Sequence, residues 1–542
     1  MAKRDARPSV AEALEGHVTL DIECFDRMVF TAYVPLLQSG GGLVTFLRDH
    51  RGNPIPSPAL FGPIGEAFRS AVRRFAEEQH VPLIPLRSRQ DKLGTVRPHL
   101  DAAAAAEREG VVAVGVAQER RSVWMGAVDH RGPSGIPHYG FHRMERRITV
   151  YYFYLFDREW GPCSIRICSY APYAAQLWCN GHERAKRQLL GRGIAFEPLR
   201  NGFRSCADPA ALQRICDAIG PADVERLFRR WLERIPLPLT AVDRDAGYDW
   251  QLSMRQIEFS RTLVLDRPRE GRAFFAEVAR ESLSLGGQAA IGFLFDRRIV
   301  RRGKRPTPGV FQTDISLQGV DPRISVFYRS SRIKEYLKEG RALRIETVCN
   351  DPGDLGVKRR VRHLGELKER ARALNRRMLS FQRASTAPTL AASHFDEVAL
   401  PDNRAGQRTV ALRYGDPRVV ALLGALCLVV HQLVPFRNAD LRTAVEQLLL
   451  RPYGPAQMSY DLRRLRAKGL IRRIEGSHRY VTTETGTTVA LLFTKSYQRF
   501  VHPLLAVNAT DAPRATAPEV RHALRTIDRY IEDRAVEARL AA

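Results

Sequence analysis

Apolar and polar residues alternate strictly over residues 17–25, HVTLDIECF. Val18, Leu20, Ile22 and Cys24 fall on one side, and His17, Thr19, Asp21 and Glu23 on the other. A period of two predicts a strand with one covered face. A helical pattern follows over 64–79, then a short strand over 81–86 and an alanine-rich helix over 98–109. The unbroken apolar run VVAVGVA at 111–117 reads as a buried strand. This alternation of strands and helices predicts an α/β N-terminal domain.

RITVYYFYLFD (147–157) and SIRICSY (164–170) read as a hairpin across the turn REWGP. Residues 175–193 read as strand, Asn-Gly turn, helix and glycine stop. Two short helices are expected over 208–235, a helix near Gly271 to Leu283, and strands at 291–296, 323–329 and 341–350. Residues 358–377 read as a very basic helix, and 381–411, rich in Ala, Ser, Thr, Pro and Asp, as a linker. The expected fold class is therefore α/β, a mixed α+β body of two subdomains followed by a C-terminal domain. The boundaries are 1–200, 201–380, the linker, 412–505, and a terminal loop and helix at 506–542.

The 412–505 region carries the most specific pattern. Pro417 to Gln432 and Asn438 to Leu449 read as helices, followed by the turn at Arg451 to Gly454. AQMSYDLRRLRAKGLI (456–471) reads as a third helix, RRIEGSHRYVTT (472–483) as a hairpin, and 486–501 as a last helix. This order resembles a winged helix-turn-helix of the kind found in MarR-like transcription regulators. The resemblance implies a recognition helix for a DNA groove, with Gln457, Ser459 and Tyr460 near base edges and a wing bearing Arg472, Arg473, His478 and Arg479. Independently of it, Leu462, Leu465 and Leu470 make a buried helical face that leaves Arg463, Arg464, Arg466 and Lys468 largely outside it. The full-length pattern is also similar to a group of bacterial proteins that end in this motif and have no established activity, which implies nothing about mechanism.

Charge points to a polyanion. The chain has 542 residues, 85 Lys+Arg against 59 Asp+Glu, a net charge of +26 and a pI near 10.2. Basic clusters recur at Lys358, Arg359 and Arg360, and at Arg301, Arg302 and Lys304. The partner expected is nucleic acid, DNA first and structured RNA second. Residues 419–434, the most apolar stretch, fall short of the ~20 residues of a membrane span. The start, Met1 to Gly16, lacks the apolar core of a signal peptide. A cytoplasmic, nucleoid-associated protein without a membrane partner is expected.

Three groups of residues carry candidate chemistry. Asp21 and Glu23, at i and i+2 on a polar strand face, suit a shared Mg2+ or Mn2+; the D-x-E on a first strand is similar to the opening motif of DEDD exonucleases. Asp157, His182 and Glu183 are candidates to complete such a site. In RIKEYLKEGRALRIETVCN (332–350), Lys334, Tyr336 and Lys338 share one strand face, and Arg344 and Glu346 share a face on the next strand. Cations there would hold a phosphodiester, and the tyrosine would donate a proton or attack. K-x-Y-x-K followed by LR-x-E is loosely similar to a segment of filamentous-phage replication initiators, which nick DNA with a tyrosine. The four Cys/His positions 163, 168, 179 and 182 do not fit a zinc spacing, and Ser39 to Gly42 lacks a nucleotide-binding pattern, so neither zinc nor a nucleotide cofactor is expected. A nucleic-acid-processing enzyme is the first expectation, metal-dependent nuclease or strand-nicking, in a mobile-element or defence setting. A non-catalytic DNA-binding regulator or replication initiator, and an RNA-binding scaffold, are the alternatives.

Overall fold

A computed structural model of the chain describes residues 14–497 apart from 89, 132, 134, 136, 286–290, 296–311, 319–320, 387–391 and 405–406, together with 501, 522, 526, 529 and 533. Arg301, Arg302, Lys304 and the loop at 507–518 lie outside the described residues. The strands are β1 (Val18–Tyr33), β2 (Leu83–Leu86), β3 (Gly110–Arg131), β4 (Pro137–Asp157), β5 (Gly161–Cys168), β6 (Ala175–Asn180), β7 (Phe196–Leu199), β8 (Gly202–Cys206) and β9 (Gln251–Leu265). They continue with β10 (Ile291–Phe295), β11 (Gln312–Gln318), β12 (Asp321–Tyr328), β13 (Ser331–Lys338), β14 (Ala342–Cys349), β15 (Asp402–Arg404), β16 (Gln407–Thr409), β17 (Ile471–Arg473) and β18 (Tyr480–Thr482). The α-helices are α1 (Gly40–Thr45), α2 (Phe61–Glu78), α3 (Lys92–Ala105), α4 (Gly181–Gly191), α5 (Pro209–Asp217), α6 (Pro221–Leu232), α7 (Ala241–Asp245) and α8 (Pro268–Leu285). After them come α9 (Leu364–Thr386), α10 (Ala392–Ala399), α11 (Pro417–Leu426), α12 (Val429–Leu433), α13 (Asn438–Leu449), α14 (Pro455–Ala467) and α15 (Glu484–Ser496).

The chain divides into two compact units, residues 1–276 with 292–380, and 277–291 with 381–542. In the first, twelve strands form one mixed sheet in the order β10-β11-β12-β13-β14-β9-β1-β6-β5-β4-β3-β2. Of its described pairings, β2 with β3 is parallel and the others are antiparallel. The central pairing runs from Val18↔Leu265 to Tyr33↔Gln251 and joins the two expected subdomains into one sheet. Residue 200 is therefore not a boundary between sheets. A strand as long as β1 leaves backbone groups on both edges to satisfy, and β9 and β6 take one edge each.

Parity along β4 separates two apolar layers. Phe25, Met28 and Phe30 lie with Leu177, Cys179, Ile165 and Phe153 in the main core, where α2 contributes Phe68 and Val72. Tyr154 and Phe156, with opposite parity, meet Val96 and Leu100 of α3. β3 and β4 run well beyond the apolar stretches that predicted them. Beyond Ala117 and Val150 they pair with each other as a ribbon with many exposed polar positions, which is why no simple alternation marked it.

The second unit has its own core, including Leu422, Leu423, Leu441, Val445, Met458, Leu465 and Leu491. α11 packs on α13 and α15, α14 follows α13, and β17 and β18 form a short hairpin extended by a bridge from Phe436 to Tyr480. The expected linker is structured: α10 and the β15–β16 hairpin lie within it, and Phe381 and Val398 enter this core. Isolated apolar residues at 381, 395 and 398 were too few to show a period. The helix expected from 358 starts at Leu364. Lys358, Arg359 and Arg360 precede it in exposed chain, where the Arg359 carbonyl accepts the Met254 amide at 2.7 Å. Among the described residues, no helix is long and apolar enough to cross a membrane.

Candidate functional site

Strand β13 sorts its residues by parity. Ser331, Ile333, Glu335 and Leu337 are buried, while Arg332, Lys334, Tyr336 and Lys338 are half-buried on the other face. Antiparallel register carries that face across the sheet. Cys24, Ser260, Glu346 and Lys334 form one cross-strand row, and Ile22, Thr262, Arg344, Tyr336 and Arg323 the next. Glu258 stands one row beyond Ser260 on β9. A bulge in β1 between Phe25 and Met28 holds Asp26, and such a bulge re-aims a side chain out of the simple alternation. Asp26, Glu258 and Glu346 each present a carboxylate oxygen, all within 4.8 Å of one another, and all three side chains are buried.

Each carboxylate is held from outside the trio. Glu346 accepts Lys334 Nζ at 2.7 Å and the Tyr336 phenol at 3.0 Å. Asp26 accepts Arg344 Nη2 at 2.5 Å and the Asn201 amide. Glu258 accepts Gln256 Nε2 at 2.8 Å; its second oxygen has no hydrogen bond, and Arg27 stands 3.5 Å from it. Arg344, wholly buried, also donates to the Asn201 carbonyl at 2.6 Å and Ser260 Oγ at 3.0 Å, and its Nη2 stands 3.1 Å from His182 Nε2.

Local sequence explains how these partners arrive. Asn180 caps α4 by accepting the His182 and Glu183 amides at 2.8 and 3.2 Å, so the expected Asn-Gly turn is a helix start. A Cβ on Gly181 would lie 2.4 Å from the Phe25 carbonyl, so only glycine lets the helix start so close to β1. Asn201 turns the chain between β7 and β8 at φ 69°, a left-handed conformation that asparagine tolerates.

The electrostatics are those of crowded like charges beside cations. Burial, then the neighbouring Glu346, pushes the Glu258 carboxyl up to about 7. Burial and Asp26 also act upward on Glu346, but Lys334 and Arg344 outweigh them and hold it below its ordinary value. Burial, then Arg344, lowers Lys338 to about 8. Burial also raises the Tyr336 phenol and, with Arg344, keeps His182 neutral. His182 Nε2 lies 3.1 Å from both Arg344 Nη2 and Ser260 Oγ, and its Nδ1 is buried without a hydrogen-bond partner.

The donor set is all oxygen, the kind that hard cations take. Three buried carboxylates, each offering an oxygen within 4.8 Å of the others, could hold a metal ion. Asp26, Glu258 and Glu346 would hold it.

Of the residues expected from sequence, Lys334, Tyr336, Lys338, Arg344, Glu346 and His182 come together here. The others stand elsewhere. Asp21 is paired with Arg261 at 2.6 Å, and Glu23 with Arg376 at 2.7 Å and Arg372 at 2.9 Å, so these carboxylates are neutralised by arginines instead of being gathered with a third acid. Asp157 is buried and accepts the Glu159 and Trp160 amides at 2.9 and 3.0 Å, Arg230 at 2.6 Å and Trp231 Nε1 at 2.7 Å. Glu183 is paired with Lys186 at 2.8 Å. The supposed convergence of Asp21, Asp157 and His182 does not occur. Asp157→Ala is expected to cost about 3–5 kcal/mol in denaturant unfolding, because it leaves Arg230 and Trp231 without their buried acceptor.

Asp26, Glu258, Asn201 and Ser260 were not legible. Asp26 falls just past the alternating run, and Glu258 sits in a strand whose two partners, β14 and β1, lie about 90 and more than 200 residues away. The one available signal was a buried-type strand, IEFSRTLVL (257–265), interrupted by an acid.

Without a cation, Glu258 gives stability a definite pH slope. Its folded value, about 7, is above the ordinary 4.5, so between these values the folded state binds the extra proton. Stability therefore falls as pH rises through that window. Urea unfolding in EDTA at pH 5 and pH 7.5 measures it; Glu258→Gln is expected to flatten the slope.

In the second unit, Gln457, Ser459, Tyr460, Arg463 and Arg466 of α14 are exposed, as are Arg472, Arg473 and His478 of the hairpin, with Arg479 half-buried. Gln457 accepts the Gly454 amide at 2.9 Å and Ser459 accepts Asn438 Nδ2 at 2.9 Å. Two expected contacts turn inward. Lys468 donates to the Glu397 and Leu400 carbonyls at 2.5 and 2.7 Å, and Arg464 to Asp461 at 2.9 Å and to the Ala411 carbonyl. The segment that covers them reads as a linker from sequence, so the sequence pattern leaves both side chains outside. In the first unit Arg359 is paired with Asp351 at 2.6 Å, while Lys358 and Arg360 are exposed. Comparison of the chain with protein-family models, with curated proteins and with solved structures gives no match in any of the three.

Proposed function

We propose that this chain is a metal-dependent DNA strand-nicking and strand-joining enzyme whose nucleophile is Tyr336. The observation that carries the reading is the Tyr336 phenol at 3.0 Å from Glu346, a member of the three-carboxylate cluster, with Lys334, Lys338 and Arg344 on the same face. That set meets the needs of phosphoryl transfer to an amino-acid hydroxyl. A divalent cation, when bound, would neutralise charge on the phosphate and lower the cost of ionising the phenol.

The chain's own groups do the rest. Glu346 orients the phenol and accepts its hydrogen bond. The phenol oxygen forms a bond to phosphorus as the phosphorus–oxygen bond to one deoxyribose breaks. The phenol proton passes to a carboxylate or to neutral Lys338. Lys338, lowered to about 8, can return a proton to the departing sugar oxygen. Attack by that hydroxyl on the tyrosine ester reverses the reaction and reseals the strand. Arg344 holds Asp26 and His182 in place by hydrogen bonds that leave it no freedom to swing. The K-x-Y-x-K and LR-x-E spacing, shared loosely with phage initiators, supports the same assignment. The experiment is the search for a detergent-stable protein–DNA adduct with labelled single-stranded DNA and Mn2+.

The second unit completes the reading as a winged helix-turn-helix that holds duplex DNA. The order of helices and hairpin supports it, together with the exposed α14 positions. Arg463→Gln with Arg466→Gln is expected to weaken duplex binding about tenfold and to reduce the salt slope by about two, since each phosphate contact contributes ~0.9. A gel-shift titration at several salt concentrations checks this. Arg464 and Lys468 are excluded from that surface by their internal hydrogen bonds.

A further inference from the structure

A second cationic cluster lies on the same sheet face as Tyr336. The parity can be followed strand by strand. Cys24 shares the row of Glu346, and the bulge after Phe25 puts Arg27, Val29 and Thr31 on the side of Cys24. Thr31 pairs with Gln176, Gln176 with Arg166, and Arg166 with Tyr152. On β5 and β6, Ser164, Arg166, Gln176 and Trp178 of this face are half-buried, while the residues between them are buried. The sheet face is thus partly open where it leads away from the carboxylate trio.

At its far end, three cations crowd around one acid. Lys92 reaches Glu119 at 2.5 Å and Tyr152 at 2.9 Å, Arg121 also donates to Glu119, and Arg166 stands 3.8 Å from it. Burial acts upward on the Glu119 carboxyl, but Lys92, Tyr152 and Arg121 outweigh it and hold it at about 2. Arg255 joins them from β9 with a 3.5 Å contact to Gln176. Partial desolvation, then the neighbouring Arg166 and Arg121, disfavours the Arg255 charge although its side chain remains exposed. One carboxylate therefore cannot balance the cluster, and gathering guanidiniums this closely is costly unless an anion completes the site.

We infer that single-stranded DNA crosses this sheet face, its phosphates held by Arg166, Arg255, Arg121 and Lys92 while Trp178 offers a ring for base stacking. The inference rests on the proposed strand-nicking function and adds the path of the strand. From Glu258 to the row of Arg166 is three strand spacings across and about five residues along, or roughly 20 Å. A single strand is more extended than the ~3.4 Å per nucleotide of a duplex strand, so this corresponds to about six nucleotides at most. A cation-lined face with an aromatic platform is the usual chemistry for holding a single strand.

The test uses the full-length protein and fluorescein-labelled oligothymidylates of about 4 and about 20 nucleotides, with anisotropy read in EDTA at several salt concentrations. The variants are Arg255→Gln, Arg166→Gln with Arg255→Gln, and Trp178→Leu. Arg255 is exposed, so its single variant tests the site without a folding risk. The double variant is expected to bind the long oligonucleotide about tenfold more weakly, with a salt slope lower by about 1.4, from ~0.7 per contact on single strands. Trp178→Leu is expected to weaken binding with the slope unchanged. The short oligonucleotide should respond little to any of them. Unchanged affinity and slope for the long oligonucleotide would overturn the path, as would a loss confined to duplex DNA or RNA competitors. The adduct assay on the same samples separates the two proposals. An adduct without arginine dependence sinks the path alone. Arginine-dependent binding without an adduct sinks the nicking reading and leaves the path.

Discussion

Tyr336→Phe is expected to lose at least ~10³-fold of covalent adduct formation on single-stranded DNA while keeping the fold and the DNA affinity. Phenylalanine keeps the ring that Arg323 covers at 5.4 Å and gives up one hydrogen bond, to Glu346, worth about 1 kcal/mol. A small change in melting temperature with a large change in adduct yield is therefore the signature. Asp21→Ala is the matching control: its carboxylate is engaged by Arg261 at 2.6 Å and is not one of the three clustered acids, so the variant should keep the adduct. Labelled DNA, Mn2+ and denaturing gels read both results. Adduct formation at the wild-type rate by Tyr336→Phe would move the nucleophile elsewhere and end the proposal.

Glu258→Gln is expected to reverse its effect on stability according to whether Mn2+ is present. In EDTA at pH 7.5 the wild-type protein holds three buried carboxylates within 4.8 Å, so removing one charge should leave stability unchanged or raise it. With Mn2+ at 100 times its dissociation constant, the wild type gains about 2.7 kcal/mol from binding to the folded state. The variant loses a ligand oxygen and most of that gain. Thermal melts of both proteins in EDTA and in Mn2+ give the four values needed. Equal shifts in the two proteins would show that the cation, if bound, is not held by Glu258. Because the melt does not depend on catalysis, this result stands apart from that of Tyr336→Phe.

The site was legible wherever two neighbouring strands carried it. Lys334, Tyr336 and Lys338 fall on one face by parity, and the short turn around Gly340 fixes how Arg344 and Glu346 come opposite them. Local hydrogen bonding alone supplies that register. Asp21 and Glu23 obeyed the same parity rule and share a face, but the rule says nothing of what packs on it. α9, a helix more than 300 residues later, brings Arg372 and Arg376 there. His182 was legible as a residue at a helix start, and only the placement of α4 against β1 brings it to Arg344.

The sequence by itself determined the basic character of the chain, the strand and helix periods, and the Tyr336 hairpin, because each depends on composition or on residues a few positions apart. Only the tertiary structure decided that β1 and β9 pair at the centre of one sheet, that a bulge aims Asp26 at Glu258 and Glu346, and that Lys468 is an internal tie. The physical reason is range. Periodicity says which side of an element is covered, whereas the identity of the covering residue depends on long-range packing that leaves no mark on neighbouring positions.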